Sequence, residues 1–257
     1  MSIVHHAGNL SRPTVVSPET MYAAICKWGI VPFFENVVPG YSIEELTPPQ
    51  FWFDGDEGAA LGPWDWKIDC VQSGDIAYGK FLLGGKAAFA TVEWYRELLN
   101  WRRSLPKYQP SADGERILAF LQENGSIGIK EVRGLLGVKK SAADAAITRL
   151  QLQCRVVTGD IFRVYRGQDL HYNGWQTSSF CTPEALFEAE GLPGPAGFPF
   201  GGAVTLKVPR SPQESYERLT SHLRSLFPEC PRKFLDHPTH CRQRPARCPA
   251  TAVRCAA

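Results

Sequence analysis

Residues 115–166 read ERILAFLQEN GSIGIKEVRG LLGVKKSAAD AAITRLQLQC RVVTGDIFRV YR. Ile117, Leu118 and Leu121 recur at helical spacing until Asn124-Gly125, a C-terminal stop, and Ser126-Ile127 then predicts one short strand. A second helix is expected from about Ile129 to Leu136, ended by Gly137, with Val138-Lys139-Lys140 as the turn that follows. Ser141-x-x-Asp144 predicts a capping box, with Asp in place of Glu or Gln, for a third helix. Its inward face would be Ala143, Ala146, Ile147 and Leu150, and its outward stripe Asp144, Thr148, Gln151 and Arg155. Arg155-Val156-Val157-Thr158, the dipeptide Gly159-Asp160, and Ile161-Phe162-Arg163-Val164-Tyr165-Arg166 predict a hairpin. Three short helices followed by a hairpin is the order of a winged helix, a helix-turn-helix variant with a β wing.

Working outward, Leu105-Pro106-Lys107-Tyr108-Gln109-Pro110-Ser111 is the best junction in the chain, because two prolines sit among polar neighbours. Before it, Ser17-Pro18-Glu19 opens a helix whose Met21, Ala24, Ile25 and Trp28 share one face up to Gly29. Residues 30–62, rich in Pro, Gly and aromatics, are expected to wrap the core. Two apolar runs joined at Gly84-Gly85 predict a β-hairpin, and Trp94, Leu98, Leu99 and Trp101 predict a helix. After the central unit, helices are expected near Thr182–Glu190 and Pro212–Phe227, around a Gly/Pro-rich loop at 191–202.

The expected fold class is therefore α+β: a winged helix-turn-helix core at 112–168, an aromatic-rich helix and β-hairpin unit at 18–105, and a C-terminal helical extension at 169–227. Residues 1–17, with His5 and His6, read as a loose leader, and 228–257 as a disordered Arg/Pro/Cys tail that resembles an out-of-frame extension.

At 257 residues, 44% hydrophobic and 21% charged, the chain can bury a sizeable core, which excludes disorder throughout. No stretch approaches the roughly 18 apolar residues of a membrane span, and the start lacks a basic-then-apolar signal layout, so the expected address is cytoplasmic. Cys26, Cys70, Cys154 and Cys181 are scattered singly and are expected to be reduced, buried thiols. Cys230, Cys241, Cys248 and Cys255 crowd the end with His237 and His240, but their spacing holds no Cys-x2-4-Cys pair and five prolines interrupt it, so no metal site is expected. Phosphate-binding glycine motifs are absent, which removes support for nucleotide hydrolysis or a Rossmann cofactor. Asp54, Asp56 and Glu57 read as a solvated loop, His171 as structural, and Cys154 as packed.

The net charge of +2 conceals an asymmetry: residues 1–95 hold 5 Lys/Arg and 11 Asp/Glu, whereas residues 96–168 hold 13 and 7. A basic middle on an acidic background suits a nucleic-acid face or a solvated helix surface. Candidate DNA contacts are Lys139 and Lys140 before the third helix, Thr148 and Arg149 on it, and Arg163 and Arg166 on the wing. Asp144 on the same stripe would repel phosphate. Winged helices also bind proteins, so shape alone leaves double-stranded DNA and a protein partner both open.

Trp64-Asp65-Trp66-Lys67, Tyr78-Gly79-Lys80, Lys86-Ala87-Ala88-Phe89, Glu93-Trp94, Arg102-Arg103 and Arg149-Leu150-Gln151-Leu152-Gln153 resemble the uncharacterised AlkZ-related proteins over roughly residues 18–227. These are similar to the AlkZ/YcaQ winged-helix DNA glycosylases. That likeness implies DNA as partner, no metal or organic cofactor, and excision of alkylated bases through a Gln-x-Gln or Gln-x-Asp motif that positions water. Gln151-Leu152-Gln153 is the one such triplet here and makes Gln151 and Gln153 the catalytic candidates, since an amide pair could orient water and stabilise a cationic sugar. It closes the third helix of the central unit, whereas the enzyme motif belongs to an early winged-helix unit. Three functions stay open: a DNA-binding protein, a cofactor-independent glycosylase, and a protein-interaction module.

Overall fold

The computed structural model describes residues 12–53, 62–82, 85–188, 204–231 and 234–235. The N-terminal unit opens with α1 (Pro18–Trp28), capped reciprocally by Ser17 and Thr20 as the Ser-Pro start predicts. β1 (Ile30–Pro32) follows, then the short α2 (Ile43–Leu46) and α3 (Gln50–Phe53), α4 (Pro63–Gln72), β2 (Ile76–Gly79), β3 (Ala88–Thr91) and α5 (Val92–Arg103). β2 and β3 pair antiparallel as expected. β1 was not expected; it pairs with the other edge of β3, giving the order β1-β3-β2. Its three residues are all buried, so no polar alternation marks it in the sequence.

The central unit holds α6 (Ala112–Asn124), β4 (Ile127–Gly128), α7 (Ile129–Leu136), α8 (Lys140–Leu152), β5 (Val157–Arg166) and β6 (His171–Cys181). Its three strands lie in the order β4-β6-β5. Ile117, Leu121, Ile127, Val132, Ala143, Ile147, Leu150, Val156 and Phe180 form a small core of their own. α8 begins earlier than the expected Ser141 cap: Lys139 is its N-cap residue and Ser141 lies inside the first turn.

The hairpin corrects the sequence reading. Gly159-Asp160 is not its turn, because neither residue takes the positive φ that a two-residue turn needs. β5 instead runs straight through with a bulge there, Thr158 facing Phe180 and Asp160 facing Ser179. A Cβ on Gly159 would stand 2.8 Å from the Cys181 Sγ, so the glycine serves a close strand approach. The turn lies at 167–170, where Gly167 and Leu170 take φ of 79° and 52°. The central unit therefore reaches Cys181, and residues 171–181 are strand where a helical extension was expected to have begun at 169.

α9 (Pro183–Phe187) and α10 (Pro212–Leu226) complete the described chain. α10 packs on α5 of the N-terminal unit through the fully buried Glu97, which receives Arg210, Arg218 at 2.6 Å and the Ser215 hydroxyl at 2.6 Å. The expected tail starts too early: Cys230, Phe234 and Leu235 are buried in the main core with Met21, Phe33, Tyr95 and Leu223. Apolar side chains two to four residues past a proline still pack once Arg102 fixes the backbone, its Nη2 donating to the Leu235 carbonyl at 2.6 Å. The 191–202 loop, Asp54, Asp56, Glu57, His5, His6 and the cysteines and histidines after 235 lie outside the described residues.

Candidate nucleic-acid interface

At the N-terminal end of α8 Lys139, Lys140 and Ser141 are exposed, Arg149 is exposed in its last turn, and among the described residues no side chain caps the helix. The first-turn N–H groups and the positive end of the helix dipole thus add to two lysine charges. This arrangement is suited to phosphate, with lysines as point charges and backbone N–H groups as short-range donors. Thr148 is half-buried, its methyl carbon 3.2 Å from the Cβ position of Gly85 in the N-terminal unit. The expected outward stripe of α8 therefore faces that unit from Thr148 onward, and only Lys139, Lys140 and Arg149 of the α8 set remain fully presented.

Gln151 and Gln153 are not brought together at an open site. Gln151 is 2% exposed; its Oε1 accepts the Lys80 backbone N–H at 3.0 Å and its Nε2 donates to the Thr158 hydroxyl at 3.3 Å. Gly79 makes room for it, since a Cβ there would lie 3.0 Å from that Nε2. Gln153 is 3% exposed and donates to the Gln109 carbonyl at 2.8 Å. Gln151 spends both amide atoms on joining chain segments, whereas the Gln153 Oε1 takes no hydrogen bond; both side chains are buried and neither opens to the surface.

The β5–β6 hairpin differs from expectation in what its two arginines touch. Arg163 turns inward: its Nε donates to Asp65 Oδ1 at 2.8 Å, and the Tyr172 hydroxyl donates to the same oxygen at 3.0 Å. Gln176 adds a bond from its Nε2 to the Trp64 carbonyl at 2.9 Å. Beside them Ile161 packs on Ile68 and Val71 of α4. Arg163 thus clasps the hairpin to α4 while its side chain stays 36% exposed. Arg166 is exposed, with its guanidinium 5.2 Å from the centre of the exposed Trp175 ring. Phe162 and Tyr165 are exposed on the same hairpin. Sequence reasoning missed Trp175 because 169–181 was read as extension; Tyr172, Trp175, Thr177 and Phe180 are the strand-rich composition that could have found it.

Next to the clasp sits Lys67, buried in an aromatic box. Its Nζ lies 4.5 Å from the Trp64 ring centre and 5.9 Å from that of Phe33, with Phe34, Trp52, Tyr78 and Phe89 packed around Phe33. Burial pushes its pKa down to about 8, against the pull of Asp65. Two more basic residues quoted above weld the units: Arg102 Nη1 donates to the Phe81 and Leu152 carbonyls at 2.6 and 2.9 Å, and Arg103 to the Cys154 carbonyl at 2.7 Å.

The described cysteines are free thiols, Cys26 exposed where a buried thiol was expected and Cys70, Cys154, Cys181 and Cys230 buried. Among the described residues no group of three or more His, Cys, Asp or Glu could hold a metal ion, and no helix is long and apolar enough to cross a membrane. No curated protein and no solved structure matches the chain. The model of a family described as AlkZ related matches residues 15–238, a span that takes in the Asp65 clasp, the Arg102-Arg103 weld and the buried Phe234 and Leu235. By that match over most of its length, the chain belongs to the AlkZ-related family.

Proposed function

We propose that residues 112–181 are a winged helix and that the chain binds double-stranded or damaged DNA through the exposed basic residues of α8 and the wing. The observation that carries this reading is the coincidence, on one unit, of an uncapped helix N-terminus flanked by Lys139 and Lys140, the exposed Arg149, and a hairpin bearing Arg166. The membership in the AlkZ-related family agrees with it. Base excision through Gln151 and Gln153 is left without an accessible motif, so binding, in repair or elsewhere, is the function supported best.

The test is affinity for duplex DNA against salt. If Lys139, Lys140, Arg149 and Arg166 each neutralise one phosphate, log K falls against log salt with a slope of about −3.6, because each contact contributes roughly −0.9. Lys139→Ala with Lys140→Ala should bring the slope to about −1.8. An affinity that ignores salt would remove the proposed face and favour a protein partner.

A further inference from the structure

The β5–β6 hairpin has an inner and an outer side, and they are treated differently. Ile161, Arg163 and Gln176 hold the inner side to α4 through Ile68, Asp65 and the Trp64 carbonyl. The outer side carries Phe162, 49% exposed, and Trp175, 58% exposed, with Leu170 at the tip 68% exposed. Phe162 faces Thr177 across the ladder, and Trp175 lies two residues from Thr177, so strand alternation puts both rings on one face. Arg166 holds its guanidinium over Trp175, and His171, exposed, stands opposite Arg166 in the ladder.

We propose that this outer face is a stacking platform for unpaired bases of a nucleic-acid strand. The inference rests on the DNA binding proposed above and narrows its partner. Large exposed rings carry a cost in water that folding has not removed, and here they are presented on a hairpin whose other face is fixed. A base ring is flat and apolar on its faces and follows an anionic backbone. Phe162 and Trp175 offer the faces, while Arg166 on the indole edge and Lys139, Lys140 and Arg149 on α8 offer the countercharge. In an intact duplex each base is already stacked on its neighbours and shows the wing only an edge, so the platform gains on unpaired bases alone.

The test compares fluorescein-labelled 25-mers as intact duplex, as duplex with a central unpaired bubble, and as single strand, by anisotropy with the full chain. The same bubble carrying 2-aminopurine reports stacking directly. The chain should bind the bubble at least about tenfold more tightly than the duplex, with 2-aminopurine emission quenched, as stacking of one base supplies. Phe162→Ala with Trp175→Ala should abolish the quenching and bring bubble affinity down to that of the duplex. Lys139→Ala with Lys140→Ala should weaken all three substrates alike. Equal wild-type affinity for bubble and duplex would overturn the platform and leave DNA binding standing. No binding to any substrate would overturn both. Concentration-dependent self-association lost in the double variant, without base preference, would overturn it in favour of an interface between copies.

Discussion

Replacing Lys67 by methionine should stabilise the protein. The residue is 7% exposed, its ammonium lies against Trp64 and Phe33, and its pKa falls from 10.5 to about 8 through burial. At about 1.36 kcal/mol per unit, charging this amine costs the folded state roughly 3 kcal/mol relative to the unfolded chain. Because the folded pKa is the lower one, the relief is complete above pH 10.5, shrinks as pH falls, and is gone below about pH 8, where both states are protonated. Lys67→Met keeps the length and removes the charge, so at pH 7 it should gain about 2 to 3 kcal/mol, or roughly 4–12 °C in melting temperature for a chain of this size. Urea unfolding of both proteins at pH 7 and pH 10.5 measures it, the difference between them cancelling the other groups that titrate in this range. The gain should vanish at the higher pH. A destabilised variant at pH 7, or a gain that persists unchanged at pH 10.5, would refute the reasoning.

Gln151→Ala should cost about 1–3 kcal/mol of stability by stranding the Lys80 N–H and the Thr158 hydroxyl, and leave duplex affinity unaltered; a loss of binding in a fully folded variant would return this residue to the interface. Phe234→Ala should destabilise by roughly 3–5 kcal/mol in thermal or urea unfolding, because the ring is 1% exposed in the main core. A change near zero would reinstate a tail beginning at 228. Glu97→Ala should cost roughly 2–3 kcal/mol, less than for a wholly buried pair since Arg210 and Arg218 remain about a third exposed and can take up water. Proteolysis should then release α10 before the rest of the chain.

What was legible in the sequence was local. Ser17 as a cap, Gly125 and Gly137 as helix ends, and the strand pair around Gly84-Gly85 all follow from one short window each. The hairpin turn was misplaced because Gly159-Asp160 has turn chemistry, yet the glycine is there to admit the Cys181 sulfur, a contact from twenty-two residues away. The same limit explains the site residues. Period placed Thr148 and Gln151 on the outer face of α8, and that face is covered by a unit whose approach no window of α8 records. The pairing of Arg163 with Asp65 left no local trace because the two lie ninety-eight residues apart. The signature that carried the family resemblance is largely the weld itself: Asp65, Gly79, Lys80, Arg102, Arg103 and Gln151 each touch across the junction of the two units.

Reversing charge at Lys139, Lys140 and Arg149 together to Glu, against Lys207→Glu on the exposed segment before α10 as control, tests DNA binding most directly when duplex affinity is read at one low salt concentration. The proposed interface requires the triple variant to lose about a hundredfold or more in affinity and the control to stay within about twofold. Equal effects of the two, or none from either, would contradict it.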